Sequence, residues 1–149
     1  MSTNSAIAVV HANGTVSEIY CHYDGHIIHN GRILNDHYAT LELAESLVAG
    51  GDLSVLDERQ SPIGVHSFDA PEKGTCIYYG RDRLLDGSDP IESANLAEFH
   101  KARYREEYCY LFVDGVWKLE VRSGKCGYQW DNLSDHLEET ISSNITRQS

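Results

Sequence analysis

Two short turn motifs constrain the fold of this chain more than any other feature. Asn13-Gly14 and Asp114-Gly115 each stand between two apolar, strand-like runs. Asn-Gly and Asp-Gly favour two-residue hairpin turns, because both of their residues tolerate the positive φ that a type I′ turn requires. The sequence therefore predicts two β-hairpins. Their strands are residues 6–10 and 16–23 in the first hairpin, and residues 108–113 and 116–121 in the second.

The pairing about each turn predicts which side chains share a face, because side chains alternate along a strand. In the first hairpin a two-residue turn sets His11 opposite Val16 and Ile7 opposite Tyr20. His22 and Asp24 would follow Tyr20 on the same side. In the second hairpin the predicted core face is aromatic and aliphatic, and consists of Tyr108, Tyr110, Phe112, Trp117, Leu119 and Val121.

Three further segments have helical patterns. Residues 31–48 carry apolar side chains at the three-and-four spacing of an amphipathic helix, with Asn30 as a candidate N-cap. A second helix is predicted to begin at Pro90, and a third, short one at Asp131 or Asn132. A β-prone run around Cys76 predicts one more strand.

These elements predict a single α+β domain. A chain of 149 residues has the usual length of one domain and can bury a core of its own. We expect an antiparallel sheet built from the two hairpins plus the Cys76 strand, with two or three helices packed mainly on one face. Residues 1–149 form the domain, and residues 142–149 are expected to fray.

The charge of the chain is strongly negative. It carries 23 Asp and Glu against 12 Lys and Arg, which gives a formal net charge of −11. Such a chain repels phosphate backbones and anionic membranes, so we expect no direct binding to nucleic acid or membrane. It would instead attract a basic surface on another protein, although acidity also serves solubility alone.

The sequence favours the reducing cytoplasm. Its four cysteines are widely spaced, and polar residues rather than a basic and apolar leader follow Met1. No apolar run approaches the length of a membrane span. We therefore expect a cytoplasmic protein with reduced thiols.

The segment from Tyr20 to His26 concentrates chemically versatile side chains at a strand end, where binding groups often lie. Tyr20, His22, Asp24 and His26 are the candidate binding residues. They could form a metal site, a His22 general base oriented by Asp24, or purely structural contacts. The spacing matches no closed metal site, and alternation separates Cys21 from His22. We therefore expect no bound metal, no cofactor and no catalytic residue.

Arg81 and Arg83 follow the Cys76 strand and could clamp a phosphate or carboxylate. The absence of a glycine-rich phosphate loop weakens a nucleotide interpretation. Ion pairing with neighbouring carboxylates is the alternative.

Several motifs together resemble one family. They are Tyr20-Cys21-His22-Tyr23-Asp24-Gly25, Asn30-Gly31, His37-Tyr38, Gly51-Asp52, Tyr79-Gly80-Arg81-Asp82 and Asp114-Gly115-x-Trp117. The chain resembles a family of small phage and prophage proteins that share the Tyr-Cys-His-x-Asp-Gly motif and have no established activity. The resemblance implies a phage context, in which small acidic proteins often bind host machinery.

Three functional hypotheses remain. The leading one is a phage-type cytoplasmic protein that binds and inhibits a host defence protein, as anti-CRISPR and anti-restriction proteins do. Its acidic surface would include Glu138 and Glu139 and would face a basic host protein. The first alternative is a small-ligand or nucleotide-binding sequestering protein, and the second is a metal-assisted hydrolase. The sequestering protein would use Tyr20, His22, Asp24, Arg81 and Arg83; the hydrolase would use His22, Asp24 and His26. A homo-oligomer is left open.

Overall fold

The computed structural model describes residues 3–102, 107–123 and 127–148. For residues 102, 121–123, 127–129 and 141–148 it describes the backbone alone. In these ranges one mixed eight-stranded sheet is accompanied by five α-helices. The strands are β1 (Ser5–Val10), β2 (Val16–Cys21), β3 (Leu53–Val55), β4 (Ile77–Tyr78), β5 (Ile91–Ser93), β6 (Tyr108–Val113), β7 (Val116–Ser123) and β8 (Gly127–Asn132). The helices are α1 (Arg32–His37), α2 (Leu41–Ala49), α3 (Tyr79–Arg83), α4 (Leu96–Ala102) and α5 (Leu133–Gln148).

The sheet is larger than predicted and is not purely antiparallel. Its order is β4-β3-β2-β1-β6-β7-β8, and β5 pairs with β2 beside this path. β1 runs antiparallel to β2 but parallel to β6, and β2 runs parallel to β3. The prediction of an antiparallel sheet of two hairpins plus one strand is therefore wrong. The strands it missed are short or polar, such as the three-residue β5, so they lack an apolar pattern.

Helices cover both faces of the sheet, whereas the prediction placed them mainly on one face. Leu34 of α1, Leu47 of α2 and Leu133 of α5 belong to the larger buried cluster. Phe99 of α4 belongs to a second buried cluster with Ala8 and Leu111. Both faces of β1 are consequently buried.

The first hairpin has a longer turn than predicted. The backbone N–H of His11 donates to the carbonyl of Thr15 at 2.8 Å, which closes a three-residue loop at Ala12, Asn13 and Gly14. Gly14 alone of these three has a positive φ, of 89°. A type I′ turn requires a positive φ at both central residues, so the loop adopts the three-residue hairpin geometry instead.

This extra loop residue shifts the register by one position. Ile7 pairs with Ile19, not with Tyr20, and Val10 pairs with Val16. A one-residue shift moves every side chain of a strand to the opposite face. Ile19 and Cys21 therefore join Ile7 in the larger cluster, and the predicted face that combined Ile7 with Tyr20 and His22 is wrong.

The second hairpin confirms its prediction. Asp114 and Gly115 have φ angles of 54° and 82°, as a two-residue type I′ turn requires. Phe112 pairs with Trp117 across it. The side chains of Tyr110, Phe112, Trp117 and Leu119 are buried in the larger cluster, with Tyr108 packed against it. The side chain of Val121 lies outside the described residues.

The helix predicted over 31–48 is divided in two. Asn30 is not its N-cap, because a π-helical turn at Ile27–Gly31 precedes α1. Thr40 caps α2 instead, and its side-chain oxygen accepts a hydrogen bond from the Leu43 N–H at 3.2 Å. Between the helices, the carbonyl of Tyr38 accepts a hydrogen bond from the Trp117 indole at 2.9 Å. This hydrogen bond from β7 fixes the backbone at the break between α1 and α2.

The other two predicted helices fare differently. The chain after Pro90 first forms β5, and α4 begins only at Leu96. The C-terminal helix begins at Leu133, next to the predicted start, and continues to Gln148. Fraying of residues 142–149 concerns how firmly that segment is held and stays a prediction.

Trp117 offers a direct test of the core. Its side chain is buried, packs edge-on against Phe112 at 5.3 Å and donates to Tyr38. We expect Trp117→Ala to lower the free energy of unfolding by roughly 3–5 kcal/mol in urea denaturation. The exposed neighbour Val116 provides the control, since Val116→Ala should change it by less than about 0.5 kcal/mol. Equal effects of the two substitutions would contradict the assigned core face.

Candidate functional site

The strand-end segment brings together only some of the predicted binding residues. The Tyr20 hydroxyl lies 2.7 Å from Nδ1 of His22, and the His22 ring packs edge-on against Tyr23 at 4.5 Å. In one of the alternatives left open by the sequence, Asp24 was the partner of His22. Asp24 instead has a positive φ of 59°, so the chain turns away from the strand at this residue. Tyr20 and His22 thus form a pair, and Tyr20 replaces Asp24 as the residue that orients the imidazole.

Asn30 is a structural residue that the sequence interpretation assigned wrongly. Its buried side-chain amide donates to the Ser5 hydroxyl and to the Tyr23 carbonyl, both at 3.2 Å. The same amide lies 3.4 Å from the sulfur of Cys21, and burial raises the pKa of that thiol to about 12. Cys21 is therefore a buried core thiol, and Asn30 connects the loop to Ser5, the first residue of β1.

His26 lies apart from the Tyr20–His22 pair. Its ring contacts Tyr108 edge-on at 6.5 Å, beside a cavity of about 530 Å³. The cavity lining consists of His26, Ile27, Ile28, His29, Tyr108 and Thr140. The lining of this cavity is mostly apolar and includes two imidazoles and a phenol. Of its lining residues, only His26 was among the candidate binding residues predicted from the sequence.

Arg81 does not form an open anion clamp. Its guanidinium donates to the carbonyls of Gln60 at 2.7 Å and Cys76 at 2.8 Å, and it lies over the Tyr78 ring. It also pairs with Asp82 at 2.8 Å, which is the alternative that the sequence left open. Arg83 lies over the ring of Phe68 at 5.1 Å. Arg81 therefore crosslinks Gln60, Cys76 and Asp82, which all belong to the stretch of chain that contains Arg81 itself.

Asp82 is the centre of this buried network. Burial alone would raise its pKa, but hydrogen bonds from Arg81, the Tyr78 N–H and His66 outweigh burial and lower the pKa to about 2. His66 accepts a backbone hydrogen bond at Nδ1 from Glu72, so its Nε2 carries the hydrogen that faces Asp82 at 3.1 Å. His66 was not among the predicted residues, since it lies in a segment without regular periodicity.

The lowered pKa of Asp82 predicts the direction in which the stability of the protein changes with pH. A carboxyl whose pKa falls from 3.8 to about 2 on folding contributes about 2 kcal/mol above the unfolded pKa, and this contribution is lost as pH falls through the folded pKa. Asp82→Asn should therefore destabilise the protein at neutral pH. The difference from the original chain should shrink between roughly pH 5 and pH 2 in urea denaturation.

Asp36 is the matched control for Asp82. It is half-exposed and pairs with Arg32 at 3.8 Å. Asp36→Asn should cost less than about 0.5 kcal/mol. A pH-independent effect of Asp82→Asn would show that Asp82 acts through packing and not through its charge.

The structure assembles a further polar cluster that the sequence interpretation missed. Nδ1 of His11 lies 2.5 Å from Oε2 of Glu45, and Nε2 of His11 lies 2.6 Å from Oγ of Ser17. Oγ of Ser17 also lies 2.8 and 2.7 Å from the two carboxylate oxygens of Glu92. These four side chains line a cavity of about 610 Å³. The hydrogen-bonded pairs among them lie up to 75 residues apart in sequence, so no spacing motif could be recognised.

The described residues do not assemble a set of metal ligands. Among the residues that the structure describes, no group of three or more His, Cys, Asp and Glu side chains could hold a metal ion. The loop histidines are instead directed to other partners: His22 to Tyr20, and His29 to Asn30 at 2.8 Å. In the same described ranges, no helix has both the length and the apolarity needed to cross a bilayer.

Elemental analysis tests the metal interpretation. We expect the purified protein to contain well under about 0.1 zinc per chain, because a stable site requires three or four converging ligands. About one zinc per chain, lost in His22→Ala but retained in His37→Ala, would contradict this expectation.

Glu138 and Glu139, which were predicted to belong to an acidic surface, are exposed. Glu138 and Glu139 lie on the solvent side of α5, as does Asp135, and Glu42 is exposed on α2. The ion pairs between described side chains include none of these four. Glu45, also on α2, faces His11 instead.

Comparison with known proteins adds no assignment. No protein-family model, no curated protein and no solved structure matches this chain.

Proposed function

We propose that this protein acts in the host cytoplasm by binding a basic surface of a host defence protein, as a phage-type inhibitor. The observation that carries the proposal is the exposed acidic face of α5, formed by Asp135, Glu138 and Glu139, in a chain of net charge −11. Three carboxylates on one helix face produce a local field that a basic groove would complement.

The distribution of positive charge supports this proposal. Arg32, Arg59, Arg81 and Lys101 each pair with a carboxylate close to them. These four basic side chains are therefore paired with nearby carboxylates. The α5 carboxylates have no ion-pair partner among the described side chains. Asp135, Glu138 and Glu139 therefore form an exposed group of carboxylates on α5.

Electrostatic complementarity of this kind acts mostly on association rate and specificity. Oppositely charged patches steer the encounter of two proteins and raise the association rate constant, and salt screens this effect with a Debye length of about 8 Å at physiological ionic strength. The resemblance to phage proteins supports a host protein as the partner. A basic nucleic-acid groove of a CRISPR or restriction effector has the required charge.

Charge neutralisation on α5 tests the proposal. The protein is used to capture its partner from host lysate, and the association rate is then measured by biolayer interferometry at two salt concentrations. We expect Glu138→Gln with Glu139→Gln to slow association by roughly threefold to tenfold at low salt and to leave the melting temperature unchanged.

The control is Asp69→Asn with Asp86→Asn, which removes the same charge from two exposed residues away from α5. This pair should slow association much less. Capture that is indifferent to salt and to both double variants would overturn the acidic-surface proposal.

A second candidate, the small-ligand binder, is favoured by the cavity beside His26 and Tyr108. Its volume of about 530 Å³ lies within the usual range of ligand pockets. The residues that carry it would be His26, His29 and Tyr108, not the predicted arginines. Native mass spectrometry of the freshly purified protein distinguishes this candidate, since a sequestered ligand adds a defined mass that denaturation removes.

A further inference from the structure

The cavity of about 610 Å³ at the tip of the first hairpin has one polar end and one apolar wall. His11, Ser17, Glu45 and Glu92 form the polar end. Val48, Ala49 and Pro90 contribute the apolar wall. The Ser17 residue is 5% exposed, and it reaches solvent through this cavity.

The fold brings these four polar side chains together from the first hairpin, from β5 and from α2. His11 directly follows β1 and closes the hairpin loop. Ser17 on β2 pairs directly with Glu92 on β5, so both side chains point to the same face. α2 packs over that face and presents Glu45, one residue after the buried Ala44. The one-residue shift of the first hairpin places Ser17 on the face of the sheet that α2 covers.

The two nitrogens of His11 have different partners. Nδ1 faces a carboxylate oxygen of Glu45 at 2.5 Å, and Nε2 faces the hydroxyl oxygen of Ser17 at 2.6 Å. In a nucleophile-base-carboxylate triad the carboxylate holds a proton on Nδ1, which leaves Nε2 to accept the hydroxyl proton. Here the same atoms are in contact, but the Ser17 hydroxyl donates its proton to Glu92, so Nε2 of His11 can take that proton only once Glu92 is neutralised.

We propose that Ser17, His11 and Glu45 form an acyl-transfer site that hydrolyses esters bearing a cationic group. Ser17 is the nucleophile, His11 the general base and acid, and Glu45 a positioning residue that orients the imidazole. Glu92 selects the substrate by its charge.

Glu92 is the reason for the cationic substrate. The Ser17 hydroxyl donates to the two carboxylate oxygens of Glu92 at 2.8 and 2.7 Å, which withholds the single hydroxyl proton from His11. An unpaired carboxylate there would also repel the oxyanion that forms on the substrate. An ammonium or guanidinium group bound to Glu92 neutralises it and leaves the hydroxyl to His11. The apolar wall accommodates the aliphatic stem that carries such a group.

The reaction balances within these groups and water. Oγ of Ser17 forms a bond to the ester carbonyl carbon as its proton passes to Nε2 of His11. The bond to the alcohol oxygen then breaks, and the same proton passes from His11 to the departing alcohol. Water then attacks the carbonyl carbon of the acyl-serine and gives one proton to Nε2 of His11. The bond between that carbon and Oγ of Ser17 breaks, His11 returns the proton to Oγ, and the carboxylic acid leaves.

Covalent labelling of the full chain tests the nucleophile. A fluorophosphonate probe should label one residue, which peptide mapping should identify as Ser17, and Ser17→Ala should lose the label. Ser46→Ala, at an exposed serine of α2, is the matched control and should retain it. Circular dichroism establishes that each variant is folded. A folded protein that shows no label on Ser17 would overturn the proposal.

Ester turnover tests the substrate class. The p-nitrophenyl ester of Nα-acetyl-lysine is compared with that of Nα-acetyl-norleucine, which has an uncharged stem of similar length. The lysine ester should react at least about tenfold faster, which corresponds to about 1.4 kcal/mol. Glu92→Gln should abolish this preference. Equal rates for both esters in the original chain would overturn the assignment of Glu92.

The remaining two roles have their own readouts. His11→Gln should lower kcat by on the order of 10² to 10⁴-fold, the usual contribution of a general base. Glu45→Gln should lower kcat while KM stays unchanged, because Glu45 does not touch substrate. Turnover that persists in Ser17→Ala would contradict the site as a whole.

Discussion

The parallel pairing of β1 with β6 is the contact on which the rest of the fold depends. β1 is a strand of the first hairpin and β6 is a strand of the second, so this pairing joins the two hairpins into one sheet. Ala6, Ile7, Ala8 and Val9 of β1 are fully buried, so both faces of the central strand are closed to solvent. Fully buried strands are typical of sheets with helices on both faces. The covering helices therefore follow from this one strand.

The two hairpins show what turn chemistry predicts and where it fails. Asp114-Gly115 and its pairing could be predicted, because both turn residues adopt the positive φ that the motif favours. Asn13-Gly14 has the same character, yet only Gly14 is left-handed, and the extra loop residue shifts the register. No local pattern distinguishes the two cases. The parallel contacts also escaped prediction, because they join strands that lie far apart along the chain.

The site residues divide along the same line between local and long-range contacts. The pairing of Tyr20 with His22 is local, and alternation along one strand anticipated that they share a side. The cluster around His11 assembles from a hairpin tip, a helix and a short edge strand, so its members have no common motif. Arg81 was recognised as a charged group after a strand, but its role depends on carbonyls and an aromatic ring of distant residues.

The buried cysteines of this fold can report its local opening motions. Cys21 lies beneath the loop that Asn30 holds, Cys76 contacts the Tyr38 hydroxyl, and Cys109 lies in the cluster on the opposite face. Burial raises the pKa of the Cys21 and Cys76 thiols, and the thiolate is the form that reacts. Alkylation of each thiol under native conditions then requires a local opening. The order in which the three react reports which layer of the molecule loosens first.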